Sequence, residues 1–131
     1  MNTKVMHEVM TETQAGELIF PEVVRRLIGI GVESYFVDLA TGNETFYMSD
    51  GTTHREAMTL ALDPVAEEFT SSELVAAIRG AQADTIRYPE FARLATEAGV
   101  IGYWAFLSGR RVVYFGRKGE SHTEAFPSAR V

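Results

Sequence analysis

Three things are scarce in this sequence: cysteine, long apolar runs and basic residues. No cysteine occurs among the 131 residues, which excludes disulfide bonds and thiolate metal sites and is typical of a reducing compartment. No run approaches 18 uncharged apolar residues, and the chain starts with an amphipathic stretch instead of a signal-peptide core. We therefore expect a cytoplasmic protein with no membrane partner.

Basic residues are outnumbered, since 12 lysines and arginines stand against 18 aspartates and glutamates, a net charge of -6. Residues 1–65 hold ten acids and four bases, whereas residues 66–131 hold eight of each. Nucleic-acid binding depends on neutralising phosphates with Lys and Arg, so a chain of this charge is repelled by polyanions. The composition argues against a nucleic-acid partner.

The rest of the composition is that of an ordinary globular protein, with 46% hydrophobic and 23% charged residues. Neither disorder nor a fibrous repeat is indicated. A length of 131 residues is typical of one domain around one core, and we predict a single domain over residues 1–131.

The clearest positive feature is an internal repeat at an offset of 68 residues. Shifting the chain by 68 positions aligns ten identical residues between positions 20 and 56, several of them Gly, Pro or aromatic. We predict a tandem duplication, with repeats at about 2–60 and 69–128, packed as one pseudo-symmetric domain. The identical pairs are Pro21/Pro89, Glu22/Glu90, Arg25/Arg93, Gly31/Gly99, Val32/Val100, Tyr35/Tyr103, Leu39/Leu107, Gly51/Gly119, His54/His122 and Glu56/Glu124.

Each repeat is predicted to begin with two helices. Asn2 is a suitable N-cap for the first helix of the first repeat, and in the second repeat Thr70 is the expected N-cap, with Glu73 completing a capping box. The next helix of each repeat is predicted to have a proline, Pro21 or Pro89, at its first position. It ends at Gly31 or Gly99, where glycine tolerates the left-handed conformation.

Three strands are predicted to follow in each repeat. Residues 32–39 and 100–107 are rich in β-branched and aromatic types, and the third strands carry His54 or His122. Residues 100–107 are apolar almost throughout, so we expect this strand, including Trp104, to be covered on both faces. The predicted class is α+β: antiparallel strands from both helix-helix-three-strand units, backed by four helices.

Several motifs resemble the YbcV-like family of small bacterial proteins. In the second half they are Tyr88-Pro89-Glu90-Phe91, Ala98-Gly99-Val100 and Glu124-Ala125-Phe126-Pro127. In the first half they are Phe20-Pro21-Glu22-Val23-Val24 and Gly31-Val32-Glu33-Ser34-Tyr35, so the resemblance covers nearly the whole chain. It implies a domain of unknown function, sometimes labelled a phage envelope protein, and it implies no catalytic residues.

A repeated His-x-Glu motif is the first candidate site for a ligand or metal: His54 with Glu56, and His122 with Glu124. Alternate residues of a strand point to the same face, so each pair would present an imidazole beside a carboxylate. If the two repeats bring both pairs together, the four side chains could bind zinc or another divalent ion. Solvated side chains without a function are the alternative.

Proton transfer is a further interpretation of the same motif. A histidine held by a carboxylate could act as general base, with Tyr35 or Tyr103 as candidate proton donors. No G-x-S-x-G motif and no glycine-rich phosphate loop are present, so reactions that depend on them have no support.

Basic residues are concentrated at the two ends of one predicted strand: Arg110, Arg111, Arg117 and Lys118. These residues could bind an anion or an acidic partner, including the acidic first repeat of a second copy in a homodimer. Charged residues beside turns are also common simply as solvated groups.

We expect a non-catalytic cytoplasmic module that binds a small ligand or a protein partner. The alternative is a small enzyme or metalloprotein that uses the paired His-x-Glu motifs, and a structural protein of phage origin is a third interpretation. The sequence identifies no cofactor and no particular ligand.

Overall fold

A computed structural model describes residues 1–127, in which four helices and six strands form two groups of the same element order. The first group is α1 (Thr3–Gln14), α2 (Phe20–Ile28), β1 (Val32–Asp38), β2 (Asn43–Met48) and β3 (Thr53–Ala57). The second group is α3 (Ser71–Gln82), α4 (Tyr88–Glu97), β4 (Val100–Phe106), β5 (Arg111–Gly116) and β6 (Ser121–Ala125). Residues 128–131, which include the end of the predicted second repeat and of the predicted domain, lie outside the described residues.

The strands form one antiparallel sheet in the order β3-β2-β1-β4-β5-β6. β1 and β4 pair at its centre, with Phe36 opposite Trp104, which lies 68 residues later in the chain. A local two-fold axis therefore passes between these two residues. The predicted α+β class with an antiparallel sheet is confirmed. The matching element order agrees with a duplication, which stays a prediction.

The hydrophobic core lies between one face of the sheet and the helices. Along β2, Glu44, Phe46 and Met48 are buried while the residues between them are half-exposed, as expected for a strand with one covered face. Apolar side chains from each helix complete the core, for example Met6, Leu27, Leu74 and Ala95. Within residues 1–127 no helix is long and apolar enough to cross a membrane.

The other face of the sheet carries aromatic side chains that pack on one another. Trp104 is half-buried and stacks on Tyr47 at 5.3 Å and on Phe106 at 5.4 Å between ring centroids. The expectation that β4 is covered on both faces, with Trp104 in the core, is therefore wrong. An antiparallel sheet can leave one face towards solvent, and the apolar run of β4 reflects this aromatic stripe rather than a second layer.

The predicted helix starts need two corrections: α2 and α4 begin at Phe20 and Tyr88, one residue before the prolines, and α3 has no capping box. The Asn2 side chain caps α1 by accepting a hydrogen bond from the Val5 backbone N–H at 3.2 Å. Thr70 is the N-cap of α3, but its side chain makes no capping bond. A capping box also needs the Thr70 N–H for Glu73, and this N–H donates instead to the Ala98 carbonyl at 2.8 Å. That bond ties the start of α3 to the end of α4.

Gly31 and Gly99 follow α2 and α4 with φ of 88° and 86°, in the left-handed region that the sequence predicts, and Gly31 lies three residues beyond the last residue of α2. Their surroundings differ. A Cβ at Gly31 would approach the Met48 methyl group no closer than 3.6 Å, whereas a Cβ at Gly99 would lie 2.1 Å from the Glu68 carbonyl oxygen. Only glycine therefore fits at residue 99, where the connection between the two groups crosses the end of α4.

Replacing each glycine by alanine separates the strain of the left-handed conformation from the clash with the neighbouring backbone. Gly31→Ala is expected to lower the free energy of unfolding by about 1–2 kcal/mol, because only the left-handed conformation is strained. Gly99→Ala must also displace the Glu68 backbone and should cost about 2 kcal/mol more. Urea denaturation of the two variants measures the difference. Equal decreases in the free energy of unfolding would show that the close approach of Glu68 to residue 99 does not affect stability.

Candidate functional site

A cavity of about 230 Å³ lies between the sheet and the helices. Each of α1 to α4 contributes side chains to it, as do β1, β2, β4, β5 and β6. Its exposed lining residues form the rim: Pro21 of α2, Ala81 and Gln82 of α3, Asp84 and Arg87 between α3 and α4, and Ala125 and Pro127 at the end of β6 and beyond it. An apolar cavity of roughly 150 Å³ is enough to hold benzene, so a single-ring molecule with a short substituent fits this volume.

Four tyrosines line the cavity: Tyr35, Tyr88, Tyr103 and Tyr114. The Tyr88 and Tyr103 hydroxyl groups share a hydrogen bond of 2.7 Å, and the Tyr103 and Tyr114 rings lie 5.4 Å apart. Burial raises the pKa of all four hydroxyl groups, so they stay protonated at neutral pH. Tyr35 and Tyr103, the predicted proton donors, thus lie in one cavity, on neighbouring strands.

Glu44 is the buried acid of the cavity, with 8% of its surface exposed. It lies on β2 in phase with Phe46 and Met48, which directs it towards the helices. Burial, and then repulsion by Glu56 on the neighbouring β3, raises the pKa of Glu44 from 4.5 to about 8. No group within residues 1–127 forms a hydrogen bond with its carboxyl group. Glu44 is therefore a buried polar group whose partner would have to occupy the cavity.

Gln14 at the end of α1 has a buried hydrogen-bond donor without a partner, its side-chain Nε2. Its Oε1 accepts hydrogen bonds from the backbone N–H groups of Thr59 at 2.8 Å and Leu60 at 2.7 Å, which fixes the orientation of the amide. Its Nε2 is buried and donates to no atom of the described residues. Gln14 also lines the cavity, but its Nε2 is itself enclosed, so this unsatisfied donor lies beside the cavity and is not open to it.

The two His-x-Glu pairs do not meet. His54 and Glu56 are on β3, and His122 and Glu124 are on β6, at opposite edges of the sheet. Five strand spacings of about 4.8 Å separate these edges, roughly 24 Å in all, far beyond metal-ligand bonds of about 2 Å. The two groups of elements join through β1 and β4 at the centre of the sheet, which leaves β3 and β6 at its two edges. One ion therefore cannot bind both pairs. In the described part of the chain, no three His, Asp or Glu side chains are grouped to hold a metal ion.

Each pair instead connects an edge strand to a helix. Glu56 accepts hydrogen bonds from His54 at 2.9 Å and from His7 of α1 at 2.7 Å. Glu124 accepts one from Arg79 of α3 at 2.5 Å, besides one from the histidine of its own pair at 3.2 Å. Burial opposes ionisation of both carboxyl groups, but these hydrogen bonds outweigh it and lower their pKa values. Of the four side chains in the motif, only Glu124 lines the cavity.

The basic residues of the second half lie in two places. Arg110 and Arg111 lie at the start of β5, while Arg117 and Lys118 follow its end, about 20 Å away for a strand of six residues. At the far end, Arg117 donates to a backbone carbonyl at 3.3 Å and Lys118 lies 3.5 Å from Glu67. The four side chains therefore do not converge on a single anion.

Sequence reasoning missed Glu44 and Gln14. The signal for Glu44 was its alternation with Phe46 and Met48, which places an acid on the covered face of a strand. For Gln14 no local pattern distinguishes a buried amide at a helix end from an exposed one. Its partners, Thr59 and Leu60, lie about 45 positions further along the chain.

Comparison with known proteins places the chain in a family. A family model described as a protein of unknown function, DUF1398, matches residues 7–124. The chain belongs to this family. The match to DUF1398 includes Glu44, Gln14 and the four tyrosines, while a comparison with curated proteins gave no match. The DUF1398 description names no activity, so the geometry of the cavity is the guide to function.

The raised pKa of Glu44 predicts a specific dependence of stability on pH. Between pH 4.5 and 8 the unfolded chain has released the Glu44 proton while the folded protein retains it. The free energy of unfolding therefore falls as pH rises through this window, by about 1.4 kcal/mol per pH unit from this group, and levels off above pH 8. Glu44→Gln, which resembles the protonated acid, should lack this decrease. Urea denaturation of both proteins at pH 5, 6.5 and 8 measures it, and parallel pH profiles would contradict it.

Proposed function

We propose that this DUF1398 protein is a non-catalytic module that binds a small ligand in the cavity between its sheet and its helices. The observation that carries the proposal is the Glu44 carboxyl group, which lines a mostly apolar and aromatic cavity, belongs to a residue with 8% of its surface exposed and has no hydrogen-bond partner among residues 1–127. Ligand sites typically combine apolar walls with a few orienting polar groups. A buried group without a partner costs about 1–3 kcal/mol, which a ligand that supplies the hydrogen bond recovers.

The residue that corresponds to Glu44 in the second group of elements supports this interpretation. Val112 lies 68 residues after Glu44 and lines the same cavity from β5. A valine therefore occupies the equivalent place on the other side of the sheet without loss of the fold. The Glu44 carboxyl group is therefore not needed to form the sheet, and ligand binding would explain its presence.

A second function, catalysis of a proton transfer, is favoured by one observation. A carboxyl group with a pKa of about 8 beside tyrosine hydroxyl groups can exchange protons near neutral pH. The alternative of an active site at the His-x-Glu motifs has less support, because His54 and His122 lie outside the cavity lining and bind carboxylates that connect edge strands to helices.

Three finer proposals come from the sequence: a cytoplasmic location, membership of the YbcV-like group and a homodimer. The homodimer has support from the half-buried aromatic side chains on the outer face of the sheet, Phe36, Tyr47, Trp104 and Phe106. Sedimentation equilibrium distinguishes it from a monomer, and a single species of monomer mass at high micromolar concentration would exclude it.

Blocking the cavity tests the binding function. Ala81 and Ala76 are both exposed on α3, but only Ala81 lines the cavity. We expect 2-phenylethylamine, 2-phenylethanol or phenylacetate at millimolar concentration to shift the NMR signals of cavity residues, including the Gln14 side-chain amide. Ala81→Trp should abolish these shifts by filling the cavity, and Ala76→Trp should preserve them.

Two results would contradict the binding function. One is the absence of shifts at cavity residues with all three compounds. The other is unchanged binding by Ala81→Trp, which would place the compounds elsewhere on the protein.

A further inference from the structure

We infer that the ligand of the cavity is a small organic amine, with its protonated nitrogen beside the Glu44 carboxylate and its apolar part among the tyrosine rings. The inference rests on the proposed function, because it names the chemistry of a ligand for the same cavity. Three features carry it: the charges of the lining, the aromatic walls and the hydrogen-bonding state of Glu44.

The charged side chains of the lining leave one acid uncompensated. The rim pair, Asp84 and Arg87, is joined by a hydrogen bond of 2.6 Å, and Glu124 accepts one from Arg79 at 2.5 Å. Within residues 1–127, Glu44 has neither a counter-ion nor a hydrogen-bond donor. A protonated amine supplies a positive charge and N–H donors together, which are the two things that an ionised Glu44 lacks.

The charged residues around the cavity do not favour an anionic ligand. The one basic lining residue, Arg87, is already bound to Asp84, and Glu124 is paired with Arg79, so Glu44 is the one acid of the described lining without a counter-ion. Glu56 lies opposite Glu44 on the adjacent strand and adds a further negative charge nearby. A negative group in the cavity would therefore find no cation to pair with, and an ionised Glu44 would repel it in surroundings that screen charge poorly.

The walls of the cavity are suited to an organic cation. The Tyr103 and Tyr114 rings lie 5.4 Å apart, and the Phe91 ring lies 6.4 Å from the first and 6.3 Å from the second. The faces of such rings carry partial negative charge and attract ammonium groups, while their area accommodates the hydrocarbon part.

Amine binding should release a proton from Glu44. Of the titratable groups that face it, Glu56 has a lowered pKa, and Tyr35, Tyr88 and Tyr103 have raised ones, so these four keep their charge state between pH 6 and 9. The lining residues from α1, α2 and α3 are uncharged, and Asp84 and Arg87 at the rim are joined to each other. The Glu44 carboxyl, with a pKa of about 8, is protonated in the empty protein at pH 7 and must ionise to pair with the amine.

The test compares three probes of similar size, 2-phenylethylamine, 2-phenylethanol and phenylacetate, by titration calorimetry on the full chain, with NMR to locate the bound probe. At pH 8.5 the amine should bind at least about tenfold more tightly than the alcohol, because it alone forms the charged pair. Its affinity should rise about tenfold from pH 6 to pH 7 and level off above pH 8. Titrations at pH 7 in buffers of different ionisation enthalpy should show release of about 0.9 proton per amine bound.

A matched pair of variants assigns the effect to Glu44. Glu44→Gln keeps the shape of the side chain and should remove both the preference for the amine and the pH dependence. Glu33→Gln alters an exposed carboxylate on β1 outside the cavity and should change neither.

The outcomes show whether the amine inference alone fails or whether the proposed binding function fails as well. Binding of the alcohol or of phenylacetate in the cavity as tightly as the amine would overturn the amine inference and leave the binding function standing. The same conclusion would follow from a preference for the amine that survives in Glu44→Gln. Absence of cavity shifts with all three probes would overturn both.

Discussion

Antiparallel pairing of β1 with β4 is the contact on which the other features of the molecule depend. It joins two three-stranded units into one sheet, with Phe36 opposite Trp104 at the centre. Tyr35 and Tyr103 consequently lie on adjacent central strands and line one cavity under the helices. The same pairing sends β3 and β6 to the two edges, where the His-x-Glu pairs contact different helices. One strand contact thus creates the cavity and separates the histidines.

The cavity contains a polar group that lowers the stability of the folded protein, and this cost points to a function for the cavity. A buried carboxylate without a partner opposes folding, and the opposition is reduced because the group remains protonated up to a pKa of about 8. The surrounding core, formed by apolar side chains from both groups of elements, is extensive enough to tolerate it. Positions that violate the rules of stable packing are where a binding or catalytic role is expected. Glu44 and Gln14 are two such positions, and they line the same space.

Much of the fold, and part of the site, could be predicted from the sequence. The starts of α1 and α3, the left-handed glycines and the three strands of each group follow from patterns within a few residues, and the α+β class follows from their order. Glu44 was passed over because an acid in a strand is usually exposed, although its phase with Phe46 indicated otherwise. The apolar run around Trp104 suggested a strand buried on both sides, since composition does not distinguish a covered face from an aromatic stripe open to solvent.

The sequence by itself determined the local elements and the chemistry available to them, because capping, turn formation and strand alternation depend on neighbours along the chain. Only the tertiary structure decided which of these residues share a site. Pairing between β1 and β4 joins residues about 70 positions apart, and packing of four helices on one face decides which side chains are buried. Those choices depend on the whole core rather than on any short pattern. They brought Glu44, Gln14 and the tyrosines together and left His54 and His122 at opposite edges.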